Sequence, residues 1–226
     1  MIKKHIPNAI TCANLFSGCI GIVYAFKGDL EVAAYLVVLS GIFDFFDGFA
    51  ARLLNVKSDI GKELDSLADV ISFGFLPGVV MFQLLSQSDF SSPYLPYFGF
   101  LITVFSALRL AKFNIDTRQT EDFIGLNTPM NTLFIVSLPF IQKDYPAVIG
   151  SSALLIGLIA LLSWLLVSEI KIFSLKFNST SWTKNKLKYI FLILSALLVI
   201  VLKFAAVPLV LILYIALSVI HFRQIK

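Results

Sequence analysis

The sequence predicts an all-α fold: a polytopic membrane bundle of about eight transmembrane helices. Three observations carry this. Hydrophobic residues make up 58% of the chain and charged residues only 14%, against about 25% charged in a soluble domain. Apolar runs such as AVIGSSALLIGLIALLSWLLV (147–167) match the roughly 20 residues that a bilayer-spanning helix needs. The Lys and Arg residues are also strongly sided once the spans are drawn. A β-barrel would instead show short alternating segments, and the sequence has none.

The spans fall near 6–26, 32–54, 60–86, 95–115, 128–142, 146–168, 186–203 and 205–222. The first follows a basic start and has the outline of a signal peptide. It lacks a small-x-small cleavage site, however, and Pro7, Asn8, Thr11 and Asn14 make its first turns polar, so it reads as a retained helix. Cys12 and Cys19 lie two turns apart on it, about 10.5 Å along the axis and too far to bridge. They are expected to be buried as small apolar packing groups. The second and third spans form an antiparallel hairpin around a turn near Asn55–Ser58. The fifth is short, and the seventh and eighth are separated by a tight turn near Lys203–Ala206.

The longest loop, Glu169–Lys188, carries five Lys and reads as a surface that meets anionic headgroups. Asn178-Ser179-Thr180 within it fits a glycosylation sequon, but the topology places it in the cytoplasm. With no soluble domain and only short connections, any chemistry falls to the helices and their ends. The absence of an internal repeat argues against an inverted-repeat transporter.

With the N-terminus placed in the cytoplasm, 15 of the 18 Lys and Arg lie on that side, and only Lys27, Lys143 and Lys203 on the other. This is the asymmetry of the positive-inside rule. It predicts an integral protein of the inner membrane, with both termini cytoplasmic.

The stretch 44–69, DFFDGFAARLLNVKSDIGKELDSLAD, carries six Asp and Glu beside apolar spans. Asp44 and Asp47 are spaced i, i+3, and Asp65 and Asp69 i, i+4, so each pair shares a helix face. The hairpin turn lets the four carboxylates converge. Converging carboxylates repel in a low dielectric, and each membrane charge costs at least about 2.5 kcal/mol. Divalent cations resolve this. An oxygen-only donor set favours Mg²⁺, Mn²⁺ or Ca²⁺ over zinc, and paired cations suit phosphoryl transfer. Gly48 and Gly61 admit a ligand close to the backbone, and Arg52 can hold a phosphate. The alternative is structural: Asp44 and Asp47 paired with Arg52, and Asp65 and Asp69 with Lys62 or other cations.

The pattern Asp-x2-Asp-Gly-x2-Ala-Arg-x8-Gly-x3-Asp-x3-Asp, on Asp44, Asp47, Gly48, Ala51, Arg52, Gly61, Asp65 and Asp69, resembles the signature of the CDP-alcohol phosphatidyltransferases. The resemblance spans the first six helices. It implies a family core over 1–168, with 169–226 adding the basic loop and two further helices. It also implies two divalent cations (Mg²⁺ or Mn²⁺), one held by Asp44, Asp47 and Asp65 and the other by Asp44, Asp65 and Asp69. Asp69 would then take the proton of the acceptor hydroxyl. Gly48, Arg52, Ser58 and Gly61 fall around the expected CDP moiety, with Asn8 and Thr11 in a Pro-Asn-x-x-Thr element approaching the same nucleotide. The donor implied is CDP-diacylglycerol, drawn from membrane lipid, with CMP leaving. Family members are usually homodimers, which implies one here.

Three stretches, IPNAITCANLFSG (6–18), DSLADVISFGFLPG (65–78) and ALRLAKFN (107–114), are similar to the branch of the family that uses serine. Free serine carries a carboxylate that a basic patch would orient, and Arg109 and Lys112 can supply one, with Asn114 adding a hydrogen bond. The competing reading takes these two cations as topogenic charges flanking a span, and a third has them hold the lipid phosphate. This chain departs from the branch at Lys112, where Arg is common, and at Leu126-Asn127-Thr128-Pro129, where the loss of a first Pro is expected to loosen the start of the fifth span. The alternatives are the same reaction with glycerol 3-phosphate or inositol, or a cation transporter or channel. Against a channel, helices 2 and 3 turn apolar away from the acidic site.

Overall fold

The computed structural model describes residues 3, 5–56, 58–90, 92–118, 122–175 and 182–224. The sequon at 178–180 and the cations at 4, 57, 176 and 226 lie outside them. Each of the eight expected spans is helical, six as single helices and two interrupted, and the fold is an all-α membrane bundle. Among the described residues, five helical stretches are long and apolar enough to cross a membrane: His5–Phe26, Leu30–Leu53, Asp59–Ser86, Leu95–Ile115 and Asn185–Arg223.

Helix α1 (His5–Phe26) buries a stripe of small and polar residues that includes Thr11, Asn14, Ser17, Gly18, Gly21 and Ala25. Small residues at this spacing let membrane helices approach closely. Helix α2 (Leu30–Leu53) packs there through Ala33, Ala34, Val37 and Ser40. Hydroxyls stitch the seam: Ser17 donates to the Leu36 carbonyl at 3.0 Å and Ser40 to the Asn14 carbonyl at 3.2 Å. Cys12 and Cys19 are on the opposite, exposed face of α1. The expectation that they are buried is therefore corrected: in a bilayer protein an apolar side chain gains as much against lipid as against protein.

Asn55 turns the chain after α2 with φ of 52°, and the Ser58 hydroxyl caps the next helix by accepting the Gly61 N–H at 3.2 Å. The third span is not one regular helix. It comprises α3 (Asp59–Asp69), a π-helical turn (Val70–Phe75) and α4 (Leu76–Ser86). The cause is Pro77. Having no N–H, it leaves the Phe73 carbonyl without its usual partner four residues on. The Leu76 N–H instead reaches back to the Ile71 carbonyl. The stranded Phe73 carbonyl accepts the Thr132 hydroxyl at 2.7 Å, and the Gly74 carbonyl that of Thr103 at 3.1 Å. Thr132→Val, which keeps the shape and removes the donor, is expected to cost about 1–3 kcal/mol, read as a lower unfolding midpoint in detergent.

Helix α4 is the axis of the bundle, with Leu76, Val79, Val80, Met81 and Leu84 fully buried. A 3₁₀ turn (Leu95–Gly99) leads into α5 (Phe100–Ile115), which crosses α4 backbone against backbone: a side chain at Gly99 would lie 2.8 Å from the Gly78 carbonyl. Two two-residue strands, β1 (Phe123–Ile124) and β2 (Lys171–Ile172), pair antiparallel and tie together the loops that follow α5 and α8.

Helix α6 (Thr128–Asp144) begins firmly. The Asn127 side chain caps it, accepting the Met130 N–H at 2.9 Å, and Pro129 lies in its first turn. The loosening expected from Leu126-Asn127-Thr128-Pro129 does not occur, because the Asn amide replaces a rigid ring with a cap. The sixth span is broken into α7 (Pro146–Ile149) and α8 (Ser152–Val167), with Gly150 ending the first and Ser151 capping the second. Helices α9 (Trp182–Leu202) and α10 (Ala206–Gln224) form a hairpin at Lys203, whose φ is 51°. The rings of Phe191 and Tyr214 meet across it at 5.1 Å. The Tyr214 hydroxyl donates to the Phe173 carbonyl at 2.7 Å and Phe204 stacks on Phe140 at 3.8 Å, docking the hairpin onto the core.

Candidate active site

The α2–α3 hairpin sets the acidic site. On α2, positions 44, 47, 48 and 51 share one face at helical spacing. On α3, positions 61, 62, 65 and 69 do the same. Carboxylate oxygens of Asp44, Asp47 and Asp65 lie within 4.8 Å of one another. Asp69, one turn further along α3, faces Asp44 and the Asn14 amide. Thr11 on α1 fixes one member of the set, its hydroxyl standing 2.6 Å from Asp47 Oδ2.

Two features show what this cluster suits. Among the described residues no Lys, Arg or His forms an ion pair with any of the four carboxylates, which removes the structural alternative of pairing with Arg52 or Lys62. Oδ1 of Asp65 and Oδ1 of Asp69 are also buried without a hydrogen-bond partner, and buried carboxylate oxygens are costly unless something positive meets them. The donors are all hard oxygens, so the residues fit Mg²⁺ or Mn²⁺.

Beside the carboxylates is a cavity of about 420 Å³ between α1, α2 and α3, in the size range of small-molecule sites. Of the expected nucleotide set, Asn8, Thr11, Gly48, Ser58 and Gly61 line it together with Asp47 and Asp65. A Cβ on Gly61 would come within 2.9 Å of Asn8 Oδ1, whereas one on Gly48 would meet nothing within 4 Å. The first glycine makes room for Asn8, and the second leaves open space over the backbone. Arg52, although one turn past Gly48, does not line the cavity and is exposed. Lys62 and Asp59 do line it. Neither was expected there, although the 62/65 spacing carried the signal for Lys62. Asn14, outside the cavity lining, faces Asp69, and its i+3 spacing from Thr11 carried that signal.

The serine-branch positions on α5 diverge. Arg109 is 6% exposed. Its Nε donates to the Leu126 carbonyl at 3.2 Å, its guanidinium lies 4.9 Å over the Phe113 ring, and its Nη2 is buried without a partner. Asp69 is the carboxylate whose charge reaches it. Lys112 does not join Arg109 in a basic patch. Its ammonium is 2.6 Å from Glu169, which also meets Arg118 at 3.3 Å, and these cations hold the Glu169 carboxyl below its usual range. The patch expected from the i, i+3 spacing is corrected accordingly: the partner carboxylate after α8 draws Lys112 outward. Asn114 turns toward α3, donating to Ser66 Oγ at 2.8 Å.

The protein-family model described as CDP-alcohol phosphatidyltransferase matches residues 4–167. The chain belongs to the CDP-alcohol phosphatidyltransferase family. Its relatives within the family include the CDP-diacylglycerol–serine O-phosphatidyltransferase of Helicobacter pylori (strain J99), 36% identical over 168 residues that cover 73% of this chain and 70% of that protein. The protein of the same name from Bacillus subtilis is 35% identical over 173 residues, 74% of this chain and 89% of its own length. The archaetidylserine synthase of Methanothermobacter thermautotrophicus is 33% identical over 135 residues, 58% of this chain and 56% of that one. The family match ends where α8 does, so the α9–α10 hairpin lies outside it.

Proposed function

We propose that this family member transfers the phosphatidyl group of CDP-diacylglycerol to the hydroxyl of L-serine, giving phosphatidylserine and CMP. The observation that carries the reading is the convergence of Asp44, Asp47 and Asp65, with Asp69 facing Asp44, beside a cavity lined by most of the nucleotide set, joined to relatives named for this reaction. The nucleotide occupies the cavity between α1, α2 and α3. The acyl chains stay in lipid, where an apolar groove of about 280 Å³, lined by Gly41, Phe45, Phe73 and Leu133 among others, suits one of them.

Asp69 accepts the proton of the serine hydroxyl. The hydroxyl oxygen forms a bond to the β-phosphorus, and the bond from that phosphorus to the bridging oxygen breaks, releasing CMP. Asp44, Asp47, Asp65 and Asp69 would hold two divalent cations, whose charge would offset that of the pyrophosphate. Arg109, whose Nη2 is buried and unpartnered, takes the serine carboxylate or the lipid phosphate. Asn114, at the cytoplasmic end of α5, borders the acceptor side. The site faces the cytoplasm at the inner membrane, the protein is a homodimer, and residues 1–168 form the catalytic core to which 169–226 add a hairpin.

CMP release measured across a panel of alcohols tests the substrate: serine is expected to be turned over, and turnover of glycerol 3-phosphate or inositol without serine would reassign it. Cation flux through proteoliposomes without CDP-lipid would instead favour a transporter. Gly48→Ala probes the cavity. Alanine favours a helix over glycine by about 1 kcal/mol and meets no protein atom here. The variant is expected to keep or raise its unfolding midpoint while its KM for the CDP-lipid rises several-fold.

A further inference from the structure

Lys62 is the one cation among the described residues that line the cavity, and its ammonium is already half committed. Nζ donates to the main-chain carbonyl of Asn114 at 3.0 Å, in the last turn of α5, where carbonyls lack helical partners and a positive charge is favoured. Four residues along α3, Ser66 Oγ accepts from the Asn114 side chain at 2.8 Å. One face of α3 therefore grips the end of α5 at two points, and one of the gripping groups also borders the cavity. An ammonium has three donors. The Asn114 carbonyl takes one and fixes the direction of the others, leaving them for an anion.

Resting on the nucleotide reading of the cavity, we infer that Lys62 bridges a phosphate of the bound nucleotide to the end of α5, and so couples nucleotide binding to the acceptor side of the site. Lys62 is a positioning residue in this account. The phosphate orients the ammonium, the ammonium holds the Asn114 carbonyl, and α5 carries Arg109 little more than one turn away. Coupling of this kind is reciprocal: CDP strengthens acceptor binding, and the acceptor strengthens CDP binding by the same factor.

Amine acetylation of the wild-type protein, followed by mass spectrometry with and without CDP and Mn²⁺, tests the contact with no variant needed. Lys62 is expected to be protected by CDP, while Lys27, on the far side of the bundle, reacts at an unchanged rate. Lys62→Met is expected to weaken CDP binding about tenfold, the worth of one charge-assisted hydrogen bond. It should also abolish the increase in serine affinity that CDP produces, and Lys62→Arg should restore both. Wild-type protein that binds CDP with Lys62 as reactive as before would overturn this inference alone, as would Lys62→Met with the coupling intact. Wild-type protein that binds no CDP would overturn the nucleotide reading along with it.

Discussion

Asp69→Asn is expected to lower CMP release by roughly 10²–10⁴-fold, the usual worth of a general base, with CDP binding largely retained. The geometry sets this split. Asp69 is not among the carboxylates that line the nucleotide cavity, whereas Asp47 and Asp65 are. It lies deeper, facing Asp44 and Asn14 and within electrostatic reach of Arg109. Its Oδ1 is buried and has no protein hydrogen-bond partner, so its lone pairs are uncommitted within the protein. An amide of the same shape still offers an oxygen but cannot take the proton. Comparison of single-turnover CMP release with equilibrium CDP binding in the two proteins checks the assignment, and an Asn variant with full activity would remove Asp69 from its role as base.

Chelation with EDTA is expected to stop transfer altogether, a loss of more than about 10³-fold, since cations of this kind supply several kcal/mol of charge stabilisation and each 1.4 kcal/mol is tenfold. Mg²⁺ or Mn²⁺ should restore the rate, and Na⁺ or K⁺ should not. The physical ground is the uncompensated charge: Asp44, Asp47 and Asp65 bring oxygens within 4.8 Å of one another, and no protein cation pairs with them among the described residues. Initial rates of CMP release before and after metal replacement measure the effect. Transfer that persists in EDTA would mean that the carboxylates act without cations.

Much of this was legible because membrane folds write their rules locally. Span length, the sided Lys and Arg, and carboxylates at i, i+3 and i, i+4 placed the eight helices and the acidic face from the residues alone. What was not legible depends on partners far away in the chain. Pro77 announces a break, but the π turn holds because Thr132 satisfies the Phe73 carbonyl it strands and Thr103, on another helix, the adjacent Gly74 carbonyl. Arg109 and Lys112 share a spacing, yet only the fold reveals that Glu169 pulls Lys112 outward. Arg52 sits in the signature but is exposed and outside the cavity lining, while Lys62, read as an ion-pair partner for Asp65 and Asp69, lines it. Burial of Cys12 and Cys19 failed for a different reason: lipid and protein interior reward the same residues.

The proposed reaction requires divalent cations held by the α2–α3 hairpin beside a cytidine nucleotide. Mn²⁺ binding to the purified protein, followed by electron paramagnetic resonance with and without CDP, tests this directly. Two Mn²⁺ per chain are predicted with CDP present, with loss of binding in Asp44→Asn and Asp65→Asn variants that remain folded. Wild-type protein that takes up no Mn²⁺ and no Mg²⁺ in the presence of CDP, or variants that bind as the wild type does, would contradict it.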